Sequence, residues 1–85
     1  MKERELLRRI ASGATENIRF ADLVALLLAL GFEETRTNGS HRVFRHRETG
    51  RHVNVQPRGG DAKAYQVRQI QRMVEQYDFQ LEDDR

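Results

Sequence analysis

Cysteine is absent from this chain of 85 residues, which excludes disulfides and thiolate zinc sites and leaves no sign of an oxidising compartment. A cytoplasmic setting is the expectation. Long apolar runs are also absent: the longest, Leu23 to Leu30, is far short of the roughly 20 residues needed to cross a bilayer. Met1-Lys2-Glu3-Arg4-Glu5 is not followed by the apolar core of a signal peptide, so neither a membrane nor an export role is expected. Internal repeats and low-complexity segments are missing, and the single proline, Pro57, closes a candidate strand.

What is present is enough for one small globular unit. A chain of this length buries about 60 to 65% of the surface that its unfolded form exposes. The net charge of +2 conceals an asymmetry. From Arg36 to Arg72 there are nine Lys and Arg residues against two acids, Glu48 and Asp61, a balance of +7; the remainder carries −5. A concentrated basic segment in a nearly neutral protein is the electrostatic footprint of contact with phosphates. A solvated, arginine-rich surface is the plainer alternative.

Periodicity divides the chain. Leu6, Leu7 and Ile10 make Glu3 to Ala11 a short amphipathic helix that must dock to persist, with a flexible extension as the alternative. Leu23, Leu26, Leu27 and Leu30 form an i, i+3, i+4, i+7 stripe on a second helix from Phe20, closed by Gly31. Val24 and Leu28 form another stripe, which the first helix is expected to cover; a partner surface is the alternative.

The pattern then alternates. Phe32 to Thr37 reads as a strand, Asn38-Gly39 as a hairpin turn, and Ser40 to His46 or Arg47 as a second strand. Arg51 to Gln56 forms a third. With Thr49-Gly50 at the centre of the second turn, Phe44 opposes Val55 and His46 opposes Val53, placing the ring and both valines on one face. His41, Val43, Arg45, His52, Asn54 and Gln56 then point away from the helices. Arg58 to Lys63 reads as a flexible basic loop, and Val67, Ile70, Val74 and Tyr77 mark the buried side of a last helix from about Ala64. Its Gln66, Arg68, Gln69, Gln71 and Arg72 are assigned to water. Phe79 and Leu81 are candidates to tuck in beyond Asp78, and Glu82 to Arg85 read as a frayed acidic tail.

The fold class is therefore α+β: helices on one face of a three-stranded antiparallel sheet in the order α-β-β-β-α, with an extra N-terminal helix. Three regions are expected, at 1–17, 18–79 and 80–85.

Few residues are placed for chemistry. His41, His46 and His52 have neither the spacing nor the carboxylate company of a metal site, and Gly59-Gly60 with Lys63 lacks the spacing of a phosphate loop. No cofactor is expected. Metal-free RNA cleavage needs a base for the 2′-hydroxyl, a proton for the leaving oxygen and positive charge for the developing phosphorane. His41, behind Gly39-Ser40 and near Arg42 and Arg45, offers the base and the charge. A surface histidine that supports the turn is the alternative. His46, about 17 Å further along the strand and on its opposite face, does not belong to that site.

Leu30-Gly31-Phe32, Gly39-Ser40-His41-Arg42-Val43-Phe44-Arg45-His46, Arg51 to Pro57 and Val67-Arg68-Gln69-Ile70, in this order, resemble the HicA family of type II toxins over roughly Ile18 to Tyr77. The resemblance implies a double-stranded-RNA-binding-like fold and an mRNA interferase that works without a metal. It implies His41 as the catalytic histidine, Gly39 shaping the turn that presents it, and a HicB-type antitoxin covering the site. Gly39, Ser40, Arg42, Arg45 and Lys63 are then the expected RNA contacts. Three features depart from the family pattern: the segment up to about Asn17, the acidic tail, and Gln56-Pro57-Arg58-Gly59-Gly60, where many members carry a further histidine soon after the proline. The last leaves the general acid open between Lys63 and a water molecule. A non-catalytic RNA-binding module of the same fold is the alternative function, and an interaction domain using Val24 and Leu28 is a third.

Overall fold

The computed structural model describes residues 2–84, with the side chain of Asp84 outside the description. Three helices, α1 (Glu3–Ala11), α2 (Phe20–Ala29) and α3 (Ala64–Tyr77), accompany a sheet of β1 (Phe32–Asn38), β2 (His41–His46) and β3 (His52–Val55) in the order β1-β2-β3, all antiparallel. The architecture is the α+β arrangement that the periodicity predicts.

One apolar core joins every layer. The α2 stripe Leu23, Leu26, Leu27 and Leu30 and the α3 residues Val67 and Ile70 meet Phe32, Phe44, Val53 and Val55 from one face of the sheet. Leu6 and Ile10 carry α1 into the same core against α2 and α3. Burying such aliphatic side chains contributes about 1.5 to 3 kcal/mol each, which is what holds a helix as short as α1 in place. The Val24/Leu28 stripe is not fully covered: Val24 is half-buried against the core, and Leu28 stays 49% exposed.

Gly31 closes α2 at φ +98°, in the left-handed region. Space matters there as well: a Cβ at Gly31 would lie 3.3 Å from Glu82 Oε2 and 3.4 Å from His46 Nε2. At the other end of the fold, Asp78 adopts φ 52° and stops α3, and the chain folds Phe79 back onto the core. Phe79 stacks on the His46 ring at 4.0 Å between centroids and meets Phe32 edge-on.

Several local expectations are corrected. The first hairpin turns on Gly39-Ser40, since Asn38 pairs with His41, and only Gly39 has positive φ, as in a type II′ turn. The second hairpin is shifted by two residues: Phe44 opposes Val53 and Arg42 opposes Val55. Its loop takes four residues, Arg47 to Gly50, because the His46 N–H donates to the Arg51 carbonyl and Gly50 N–H returns to the His46 carbonyl. A two-residue shift preserves side-chain parity, so Phe44, Val53 and Val55 still share the buried face.

The basic loop at 58–63 is not loose. Pro57–Arg58 (β4) and Asp61–Ala62 (β5) form a small hairpin, fastened to the approach to α2 by Ala62 N–H to the Ile18 carbonyl at 2.7 Å and Phe20 N–H to the Gly60 carbonyl at 3.0 Å. Gln66, assigned to water by its helical position, is buried, and its Oε1 accepts from the Gln56 N–H at 3.0 Å. β3 has ended by then, so a side chain takes over a donor that the ladder leaves unpaired. Phe79 and Leu81 tuck in as expected, but the acidic tail beyond them is also structured: Glu82–Asp84 form a 3-10 turn, and Glu82 pairs with Arg47. Arg85, the last residue of the expected tail, and Met1 lie outside the described residues.

Candidate active site

β2 separates its side chains between two environments. Arg42, Phe44 and His46 face the helices, whereas His41, Val43 and Arg45 face the open side of the sheet. His41 is the first residue of β2, exposed, directly after the Gly39-Ser40 turn and opposite Asn38. It borders an open depression of about 400 Å³ lined by Arg36, Asn38, His41, Val43 and Asn54.

Arg36 and Asn38 reach that face through a β-bulge. Phe32 pairs with His46, Glu33 with Arg45 and Glu34 with Phe44; the register then jumps, and Arg36 pairs with Val43. Thr35 is the unpaired residue, and its hydroxyl donates to the Val43 carbonyl at 3.3 Å. One extra residue reverses the parity of everything after it. Simple alternation from Phe32 would put Arg36 on the helix side; the bulge puts it beside His41.

The same jump brings Thr37 to the helix side, where it joins Glu34 and Arg42. Arg42 Nε and Nη2 donate to the two Glu34 oxygens at 2.8 Å each, and the Thr37 hydroxyl donates at 2.6 Å. Hydrogen bonding from Arg42 first, then from Thr37, lowers the Glu34 pKa to about 2, and the carboxylate raises that of Arg42 in return. The guanidinium also lies 5.8 Å from the Phe20 ring centroid and 5.6 Å from that of Phe44. Arg42 is therefore a neutralised cation on the face opposite His41.

The other expected contacts are dispersed. Arg45 shares the open face but stands at the far end of β2, opposite Glu33 and His52, with its Nη2 3.6 Å from where a Cβ on Gly50 would sit. Lys63 precedes α3 and lines a separate depression of about 450 Å³ with Arg58, Asp61, Tyr65 and Arg68. Gly39, Ser40 and His41 stay together by chain continuity. Arg36, Asn38 and Asn54 are the site residues that sequence reasoning did not single out. Asn54 was legible as an outward position, but no local signal marks the bulge, because Glu33-Glu34-Thr35-Arg36-Thr37 has no apolar alternation to fix its faces.

His46 contrasts with His41. Only 4% of it is exposed, and both ring nitrogens are engaged. Thr49 N–H donates to Nδ1 at 3.3 Å, which leaves Nε2 to donate to the Leu30 carbonyl at 3.0 Å. The ring joins the end of α2 to the loop after β2. Among the described residues, no three His, Asp or Glu side chains converge as metal ligands, and no helix is long and apolar enough to cross a membrane.

Helices on one face of a three-stranded sheet, with an exposed histidine on the other, define a small α+β domain whose open sheet face carries the polar site. A family model described as "HicA toxin of bacterial toxin-antitoxin" matches residues 20–78, from the first residue of α2 to the residue that stops α3. The chain belongs to the HicA family of toxins of bacterial toxin–antitoxin systems. Neither the curated proteins nor the solved structures contain a match to it.

Proposed function

We propose that this protein is a metal-independent endoribonuclease, an mRNA interferase of the cytoplasm, with His41 as its general base. The observation that carries this reading is the exposed imidazole at the mouth of the open-face depression in a chain of the HicA family. The 2′-oxygen of RNA bonds to phosphorus as its proton passes to the imidazole, and the P–O5′ bond breaks. The 5′-oxygen takes a proton from water and the hydroxide so formed takes the proton from the imidazolium, leaving a 2′,3′-cyclic phosphate, a 5′-hydroxyl and a neutral His41. Gly39 and Ser40 present the histidine and line the approach to it. Arg45 and Lys63 track the RNA backbone on either side, while Arg42 would reach a phosphate only by giving up Glu34. A HicB-type antitoxin inhibits by covering the open face.

The test compares wild type and His41→Ala for growth arrest on expression and for RNA integrity in EDTA. Loss of about 10² to 10⁴ in cleavage rate is expected, with an unchanged melting temperature. A folded variant that cleaves as fast as wild type removes His41 from the chemistry. RNA binding without cleavage by the wild-type protein would instead make the chain a non-catalytic RNA-binding module of the same fold.

A further inference from the structure

A phosphorane carries one more negative charge than the phosphate from which it forms, so a cation must stand at the reacting centre and not merely near the RNA. Three arginines flank His41 in the sequence, at 36, 42 and 45. Chain proximity favours Arg42, the adjacent residue. Geometry disqualifies it: Arg42 faces the helices and is held in two hydrogen bonds by Glu34. Arg45 is on the right face, but its strand partners are Glu33 and His52 and it does not border the His41 depression.

Arg36 does border it, together with Asn38, His41, Val43 and Asn54. No other residue in that lining carries a permanent positive charge. Among the described residues no carboxylate pairs with it, so its guanidinium remains available to an incoming anion. The Thr35 bulge is what brings it there, and bulges re-aim side chains in this way beside active sites.

Resting on the ribonuclease reading above, we infer that Arg36 is a catalytic residue of the same site, binding the scissile phosphate and stabilising its extra charge as His41 removes the 2′-proton. The guanidinium presents paired N–H donors to two non-bridging oxygens, a geometry that an ammonium cannot reproduce. Two neutral amides, Asn38 and Asn54, complete the polar lining without competing for the anion.

Single-turnover cleavage of a short RNA at saturating protein tests this with wild type, His41→Ala, Arg36→Gln, Arg36→Lys and, as a surface control, Arg72→Ala. Arg36→Gln keeps a long polar side chain on an exposed strand position and should fold. Its cleavage rate should drop about 10² to 10³-fold, as for loss of one preorganised donor to a developing anion. Arg36→Lys should recover part of that loss, Arg72→Ala should match wild type, and all melting temperatures should agree. Arg36→Gln cleaving within about threefold of wild type while His41→Ala is inactive would overturn the Arg36 assignment and leave the histidine intact. So would a lysine variant no faster than the glutamine one. Wild-type protein that leaves RNA uncut removes the ribonuclease reading, and Arg36 falls with it.

Discussion

The two faces of β2 carry the same residue types in opposite circumstances. On the helix face, His46 is buried with both ring nitrogens hydrogen-bonded and an aromatic ring stacked on it, and Arg42 is held by Glu34. On the open face, His41 is exposed and Arg36 has no carboxylate partner among the described residues. An imidazole or guanidinium committed to intramolecular partners stabilises the fold, and only one left uncommitted can exchange protons or meet a phosphate. Histidine content by itself says little about chemistry in this sheet.

The sharpest way to break this comparison is to mutate neighbours across the strand. Phe44, fully buried, should cost about 3 to 5 kcal/mol as Phe44→Ala, a large share of the stability of so small a domain. Val43→Ala, on the open face, should cost about 1 kcal/mol or less in the same urea melts. Equal losses would mean that the open face is packed against something in solution.

His46→Ala tests the buried histidine. It leaves the Leu30 carbonyl and the Thr49 N–H without their partner and opens space beside Phe79, a loss of about 2 to 4 kcal/mol. At temperatures where the variant is folded, RNA cleavage should persist. That is the reverse of His41→Ala, and a folded but inactive His46→Ala would merge the two roles.

The smallest effect concerns acid. Glu34 has its pKa lowered from 4.5 to about 2 by Arg42 and Thr37. A carboxylate with a folded pKa below its unfolded one contributes stability that is fully present above the unfolded value and is lost as pH falls through the folded one. Melting temperatures of wild type and Glu34→Gln should therefore differ at neutral pH and converge as pH falls from 4.5 toward 2. A gap that widens on acidification has the wrong sign for this ion pair.

How much could be read without coordinates depends on the range of each signal. The leucine stripe of α2 and the 3.6-residue pattern of α1 and α3 depend on residues within two turns, and the observed elements follow them. Gln66 shows where the pattern stops helping: its helical position looks solvated, yet the end of β3 lies against it and leaves a donor to satisfy. Glu82 looks like the start of a tail, and becomes structure only because Gly31 and Arg47 are close by in space.

Sequence alone determined that His41 and Phe44 lie on opposite sides of one strand, because side-chain alternation is a property of the backbone and survives even a two-residue error in register. It also determined the basic balance of the segment from Arg36 to Arg72. Only the tertiary structure decided which arginine accompanies the histidine. Cross-strand pairing places the bulge at Thr35, the bulge reverses the faces beyond it, and Arg36 arrives at the site while Arg42, next to His41 in the chain, is turned away and neutralised.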